Sequence, residues 1–380
     1  MRIVVAPDSF KGSLTSREAV EAISAGIHRV FPKAEIERLP LSDGGEGIAE
    51  SLVEALGGDY YSQTVTGPLG DKMKATWALL SDGDTAVVEL AAASGLTLVP
   101  KTELNPLAAT TFGTGELIKD ALDHGCKRLV IGLGGSATND GAVGIAQALG
   151  GRFLNDQGQE IGPGGQALEN LVRIDLSSLD SRIKAIEVLV ACDVDNPLCG
   201  PKGAAYVYGP QKGADELMVA RLDKALFGLA AVVTKDLGMD VLTIPGGGAA
   251  GGAGAGTCAF LGGTLRSGID IVLEAARFSE KVSSADLVIT GEGMMDSQTA
   301  YGKLPVGVAQ AAKEYQIPVI ALAGSLQPGV EKVLEKGIDA YFSIVPGITT
   351  LDTAMGQAYT LLADRTEQIM RTIKIGYSLK

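Results

Sequence analysis

The chain has 380 residues, about twice a common domain, so it is expected to fold as roughly two domains around a core that needs no disulfide staples. Glycine reaches 51 residues and apolar residues 46 %, with the glycines clustered between apolar runs, which excludes collagen-like and disordered chains. A formal net charge of −13 with no basic block sets aside a nucleic-acid partner, because phosphate backbones need a concentrated cationic face.

In chain order, residues 2–6 are predicted as a strand ending at Pro7, and 16–30 as a helix capped by Thr15 or Ser16. A strand at 34–39 leads into the loop 42–47 and a helix at 48–56. Between 60 and 90 the apolar period becomes strand-like, and segments 62–66, 73–80 and 86–90 read as antiparallel hairpins joined by Gly-Pro and Asp-Gly turns. Helix and strand then alternate: helix 114–124, strand 128–133, a glycine loop, helix 141–149, strand 186–192, and a long helix at 217–237. The segment PGGGAAGGAGAG at 245–256 reads either as a flexible hinge or as backbone lying close to a ligand. A strand at 287–290, a loop at 291–298, a helix at 306–315 and a strand at 319–323 follow. The first and last segments share one βα style, so residues 1–59 plus 264–380 are expected to form a discontinuous outer domain, with 60–263 inserted.

The N-terminal apolar run, residues 3–7, is too short for a signal peptide, and no stretch approaches the ~20 apolar residues of a membrane span. A cytoplasmic chain without membrane contact is the expectation. Cys126, Cys192, Cys199 and Cys258 lack zinc-site spacing and are expected as free thiols. Two histidines, His28 and His124, are too few for a metal cluster and are expected on the surface.

Five loops at strand ends combine small residues with charge: Asp8-Ser9-Phe10-Lys11-Gly12, Asp43-Gly44-Gly45-Glu46-Gly47, residues 132–141, residues 192–197 and residues 291–296. One glycine cluster is ordinarily a turn. Five charged ones are the parts list of phosphoryl transfer: N–H donors and lysines for phosphates, carboxylates for Mg²⁺, and an acid to orient or deprotonate a hydroxyl. Gly134-Gly135-Ser136-Ala137-Thr138-Asn139-Asp140-Gly141 precedes a predicted helix, so it reads as an anion cradle or as a helix cap. Lys11 and Lys212 sit beside glycines in loops, and Asp193, Glu292 and Asp296 stand at strand ends. There is no Walker sequence, and the run Gly132 to Gly135 imitates only part of a dinucleotide fingerprint, residue 137 being alanine.

These residues lie in longer words: APDSFKGSL (6–14), DGGEG (43–47), AAASGL (91–96), FGTGELI (112–118), GGSATNDG (134–141), ACDVDNPL (191–198), GPQKGA (209–214), GGGAAGG (246–252) and ITGEG (289–293). Through them the chain, from residue 2 to about 377, resembles the bacterial glycerate kinases, which phosphorylate D-glycerate with ATP. The resemblance implies an α/β fold of two domains, a Rossmann-like parallel-sheet domain with an inserted α/β domain and an active-site cleft between them, using ATP and Mg²⁺. It implies phosphorylation of the 2-hydroxyl, with the 3-hydroxyl as the alternative; a NAD-dependent hydroxy-acid oxidoreductase and a non-catalytic receptor are the competing classes.

Under this reading Asp193, Lys11 and Asp8 are the catalytic candidates, and Asp296 and Glu292 the metal ligands. Ser9, Asp43, Gly44, Gly45, Glu46, Ser94, Gly134, Gly135, Ser136, Asn139, Asp140, Asn196, Lys212 and Gln298 are candidates for substrate or phosphate contact. Met294 departs from the family, which commonly has an arginine directly after GEG.

Overall fold

The computed structural model describes residues 1–41 and 47–378. Its strands, in chain order, are β1 (Arg2–Val5), β2 (Glu35–Arg38), β3 (Gly58–Thr66), β4 (Lys72–Leu80), β5 (Thr85–Glu89), β6 (Arg128–Gly132), β7 (Arg152–Leu154), β8 (Arg173–Asp175), β9 (Glu187–Ala191), β10 (Thr264–Arg266), β11 (Leu287–Met295), β12 (Val319–Leu326) and β13 (Ala340–Ser343). The chain divides into two units, one of Met1–Gly44, Glu54–Leu56 and Ile269–Lys380, the other of Gly45–Val53 and Gly57–Gly268.

The first unit is built on a five-stranded sheet, β13-β12-β11-β1-β2, whose pairs are all parallel. Ile3, Val4 and Val5 of β1 are fully buried, the unbroken apolar run expected of a parallel strand covered on both faces. The helix Ser16–Val30 starts where a capping box forms: the Glu18 N–H donates to the Thr15 hydroxyl at 3.2 Å, and Glu18 Oε2 accepts from the Thr15 N–H at 2.9 Å. It buries Ile23 and Ile27 in one apolar cluster with Leu362 and Met370 of the helix Ala358–Ser378.

The second unit carries a six-stranded sheet, β10-β9-β6-β5-β4-β3, antiparallel from β3 to β5 and parallel from β5 to β10, beside a β7–β8 pair. The helix Phe112–Asp123 packs Leu117 and Ile118 into the cluster that holds Trp77, and the Trp77 indole N–H donates to Asp120 Oδ2 at 2.8 Å. That bond lets a nearly fully buried Trp satisfy its one donor.

Three expectations differ from the structure. The chain crosses between units more often than one insertion would require, Gly45–Val53 belonging to the second unit and Glu54–Leu56 to the first, and the last crossing falls after Gly268, because β10 pairs with β9 beyond residue 263. The strand expected at 287–290 runs on to Met295, since β12 continues to pair with it as far as Leu326, so Glu292 is a strand residue rather than a loop residue. The glycine-rich stretch is no hinge: Ala249–Leu261 is a largely buried helix entered through three left-handed residues, Ala250, Gly251 and Gly252.

A Cβ on Gly251, which has φ of +69°, would collide with the carbonyl oxygen of Thr138 and lie 2.5 Å from Asn139 Cα. Gly251→Ala is therefore expected to cost more than about 2 kcal/mol in urea unfolding. Gly228→Ala, in the middle of the helix Glu216–Leu237 with nothing within 4 Å of the new atom, is expected to be neutral or to gain up to ~1 kcal/mol. Equal effects of the two would contradict this packing.

Candidate active site

In the first unit, the pairing of β1 with β11 brings the segment after β1 alongside Gly291–Gly293. The Asp8 N–H donates to the Gly291 carbonyl at 2.8 Å, and a Cβ on Gly293 would lie 3.1 Å from the Lys11 nitrogen. Asp8 is buried, and its Oδ1 accepts from the Ser9 N–H at 2.6 Å. Phe10 and Leu14 close a tight turn that leaves Lys11 exposed at its tip. Glu292, 8 % exposed, accepts from the Thr299 hydroxyl at 2.7 Å. Asp296 Oδ1 accepts from the Gln298 N–H at 2.8 Å and the Thr299 N–H at 3.2 Å, so Gln298, exposed itself, serves the carboxylate through its backbone. Thr299 thus ties the two acids together. The Lys303 ammonium lies 3.8 Å from each.

In the second unit, the loop 134–141 leaves Gly134 and Gly135 exposed and buries Ser136 to Asp140. Lys212, 1 % exposed, donates to Ser136 Oγ and to the Thr138 carbonyl, both at 2.7 Å. The loop is held from the other side by Ser94, whose carbonyl accepts from the Ala137 N–H at 2.9 Å and whose hydroxyl pairs with Thr114 Oγ1 at 2.9 Å. Asp140 Oδ2 accepts from the Thr111 N–H at 2.8 Å and its hydroxyl at 2.9 Å. Asp140 therefore ties the loop to Thr111 just before the short helix Val143–Ala148, whose N-cap residue is Ala142, and within the loop the Ala137 and Gly141 amides donate to the Ser94 and Gly251 carbonyls. The Asn139 side-chain amide, the Thr138 hydroxyl and Asp140 Oδ1 are buried and find no hydrogen-bond partner among the described residues.

The loop after β9 leaves Asp193 exposed, with its Oδ1 held by the Gly268 N–H at 2.8 Å. Asn196 is committed on both sides of its amide, accepting from the Tyr208 hydroxyl at 2.6 Å and donating to the Lys202 carbonyl at 2.8 Å. The glycine run joins this loop to the first. The Gly248 N–H donates to the Asn196 carbonyl at 2.9 Å and the Gly141 N–H to the Gly251 carbonyl at 3.1 Å. Asp43, Gly44, Gly45 and Glu46 lie outside the described residues. A cavity of about 600 Å³ elsewhere in this unit, walled by Thr66, Phe112, Gln147, Arg152 and Ile161, includes none of the candidate residues.

Sequence reading missed Thr299 and Lys303, which brace the acids; Thr111, which holds Asp140; and Gly268, which holds Asp193. Thr299 and Lys303 follow Asp296 within seven residues, so a charged residue and a hydroxyl so close to a strand-end acid were the available signal. The other two partners are distant in sequence. The four cysteines are free, His28 and His124 are exposed with the His124 ring packed edge-on against Tyr61 and Trp77, and no helix among the described residues is long and apolar enough to cross a membrane.

Burial pushes the Lys212 ammonium down to about 7, with Asp140 offsetting part of that, and burial pushes the Asp140 carboxyl up against the pull of its donors. An unfolded lysine keeps its proton up to about pH 10.4, so above about 7 the unfolded chain binds more protons at this residue than the folded one. The contribution of Lys212 to stability accordingly rises with pH from about 7 to 10 and is lost as pH falls through 7. Lys212→Met is expected to remove that slope, at most ~1.4 kcal/mol per pH unit, in urea unfolding followed from about pH 7.5 to 9. Identical pH dependence in the two proteins would refute the buried, shifted amine.

Comparison with known proteins agrees over the whole chain. The model of the glycerate kinase family matches residues 3–374. The chain is 53 % identical over 373 residues to a glycerate kinase of Halalkalibacterium halodurans, covering 98 % of this chain and 97 % of that protein. It is 49 % identical over 376 residues to the glycerate 2-kinase of Escherichia coli, covering 99 % of each. A crystal structure described as that of a glycerate kinase 2 from Salmonella typhimurium LT2 superposes with a TM-score of 0.88 at 48 % identity, covering 100 % of this chain and 99 % of that one. With an α/β fold of largely parallel sheets and a match from end to end, this chain belongs to the glycerate kinase family.

Proposed function

We propose that the protein transfers the γ-phosphoryl group of ATP to the 2-hydroxyl of D-glycerate, in the cytoplasm. The observation that carries this reading is the match, over 99 % of both chains, to a protein named glycerate 2-kinase. Phosphoryl transfer asks mainly for positioning and charge neutralisation, and the candidate residues are of that kind.

Asp193 is assigned to the reacting hydroxyl. Its Oδ1 is anchored by the Gly268 amide, which fixes the carboxylate's orientation, and exposure keeps it accessible to a ligand. As the hydroxyl oxygen forms its bond to the γ-phosphorus and ADP leaves, Asp193 accepts the hydroxyl proton. Lys11, exposed at its turn tip, is assigned to phosphate oxygens, with Asp8 and Ser9 shaping the turn. Lys212, Ser94, Ser136 and Asp140 are assigned to holding the loop 134–141, whose exposed Gly134 and Gly135 are the groups offered to substrate, while Asn139 remains a proposed contact from the resemblance. Asp43, Gly44, Gly45, Glu46 and Asn196 remain proposed contacts from the resemblance.

No three His, Cys, Asp or Glu side chains converge on a metal position among the described residues. Mg²⁺ does not require that, since it takes one or two carboxylates together with phosphate oxygens and water. Glu292 and Asp296, linked through Thr299, fit such a set and would hold it. Bound there, the cation would neutralise charge on the transferring phosphates.

A coupled assay for ADP release with D-glycerate tests the reading, and no release above the ATPase background overturns it. NMR of the product is expected to show 2-phosphoglycerate; 3-phosphoglycerate would move the reaction to the other hydroxyl. Asp193→Asn is expected to lower kcat by roughly 10²-fold or more with an unchanged melting temperature, because an asparagine Oδ1 still accepts from Gly268. An unchanged kcat removes Asp193 from the role.

A further inference from the structure

Lys303 is the N-cap residue of the helix Leu304–Lys313 and makes no capping hydrogen bond. A capping side chain would find little to accept there, since Pro305 has no N–H and the Val306 and Gly307 N–H groups donate to the Lys303 carbonyl at 3.0 and 3.1 Å, but a cation faces the positive end of the helix dipole. The helix dipole therefore disfavours lysine at this position, and the compensation comes from what its ammonium faces. That is the pair of carboxylates: Nζ is 3.8 Å from Glu292 Oε2 and 3.8 Å from Asp296 Oδ1. Both distances exceed the ~2.7–2.9 Å of a charge-assisted hydrogen bond, so the ammonium is shared by the two acids and locked to neither.

The acids do not rely on Lys303 for their orientation. The Thr299 hydroxyl donates to Glu292 Oε1 at 2.7 Å and accepts from the Asp296 N–H at 3.1 Å, while the Thr299 N–H donates to Asp296 Oδ1 at 3.2 Å. What Lys303 adds is charge, beside a Glu292 side chain only 10 % exposed and an Asp296 side chain 21 % exposed. Two partly buried carboxylates repel each other unless a cation stands near.

We propose that Lys303 is a positioning residue that acts as a tethered placeholder cation, offsetting the repulsion between Glu292 and Asp296 until a divalent cation takes its place between them. The proposal rests on the metal assignment made above. A divalent ion approaches a carboxylate oxygen to about 2.1 Å, far closer than this ammonium does, and the flexible four-carbon stem lets the lysine give way. The two cations compete for the same acids. Removing the ammonium therefore strengthens metal binding while weakening the metal-free protein, a pair of opposite effects that a merely structural lysine does not produce.

Titration of the full-length protein with Mn²⁺ alone, followed by electron paramagnetic resonance without nucleotide, is the test. Lys303→Met is expected to bind Mn²⁺ at least about 5-fold more tightly than the parent protein, Lys303→Arg no more tightly, and Lys303→Met with Asp296→Asn to lose the gain. In thermal unfolding, Lys303→Met is expected to melt below the parent in EDTA and to gain more from added Mg²⁺ than the parent does; Lys303→Gln repeats both measurements should the methionine variant fold poorly. Equal or weaker Mn²⁺ binding by the uncharged variants, or an Mg²⁺ gain no larger than that of the parent, overturns the placeholder role. If the parent phosphorylates D-glycerate yet these differences are missing, only the lysine's role falls. If the differences are present but no ADP is released, the kinase reading falls and the competition stands.

Discussion

Backbone packed directly on backbone is the constraint from which the second unit's loop arrangement follows. The run from Gly246 to Gly256 passes so near its neighbours that Cβ atoms on Gly248, Gly251 and Gly256 would strike the carbonyl oxygens of Pro197, Thr138 and Gly141 respectively. Side chains of any size would force the loop after β6 away from the loop after β9. Asn139 and Asn196 are thus placed by main-chain contacts of one short segment. Low complexity here is a record of tight fit.

Charge is managed on the same local scale. A net charge of −13 disfavours anions at long range, yet each unit carries cations exactly where strand ends meet acids: Lys303 beside Glu292 and Asp296, Lys212 beside the loop that ends in Asp140. Lys303 is partly solvated and loosely held, whereas Lys212 is sealed and hydrogen-bonded at both ends of a short loop segment. Burial makes charging Lys212 costly, so it stiffens the loop at the expense of its own protonation.

Much of the element order was legible because it depends on local pattern. The helices Ser16–Val30 and Ile48–Leu56 carry their apolar period and, in the first case, the Thr15–Glu18 cap in sequence, and the β3–β4–β5 hairpins carry alternation and turn residues. The extension of β11 to Met295 was not legible, because glycine and glutamate are poor strand residues and are held there by pairing with β12. Nor was the helix Ala249–Leu261, since its stability comes from what its small residues let it touch. For the site, the charged residues at strand ends stood out, but their partners did not. Lys212 reaches Ser136 across 76 residues and Asp193 reaches Gly268 across 75, relations that only the folded chain makes. Asp140 stood out as a charged residue, but its partner Thr111 lies 29 residues away.

The glycine run also bears on how the gene can be cut and rejoined. A composition-guided choice of site for circular permutation or for inserting a reporter would fall on residues 245–256, which resemble a synthetic linker, and would split the segment on which two loops rest. The turn at residues 155–159 is the sounder choice: Asn155 Oδ1 closes it by accepting from the Gln157 and Gln159 amides, Gly158 at its tip has open space around it, and new termini there would disturb only that turn.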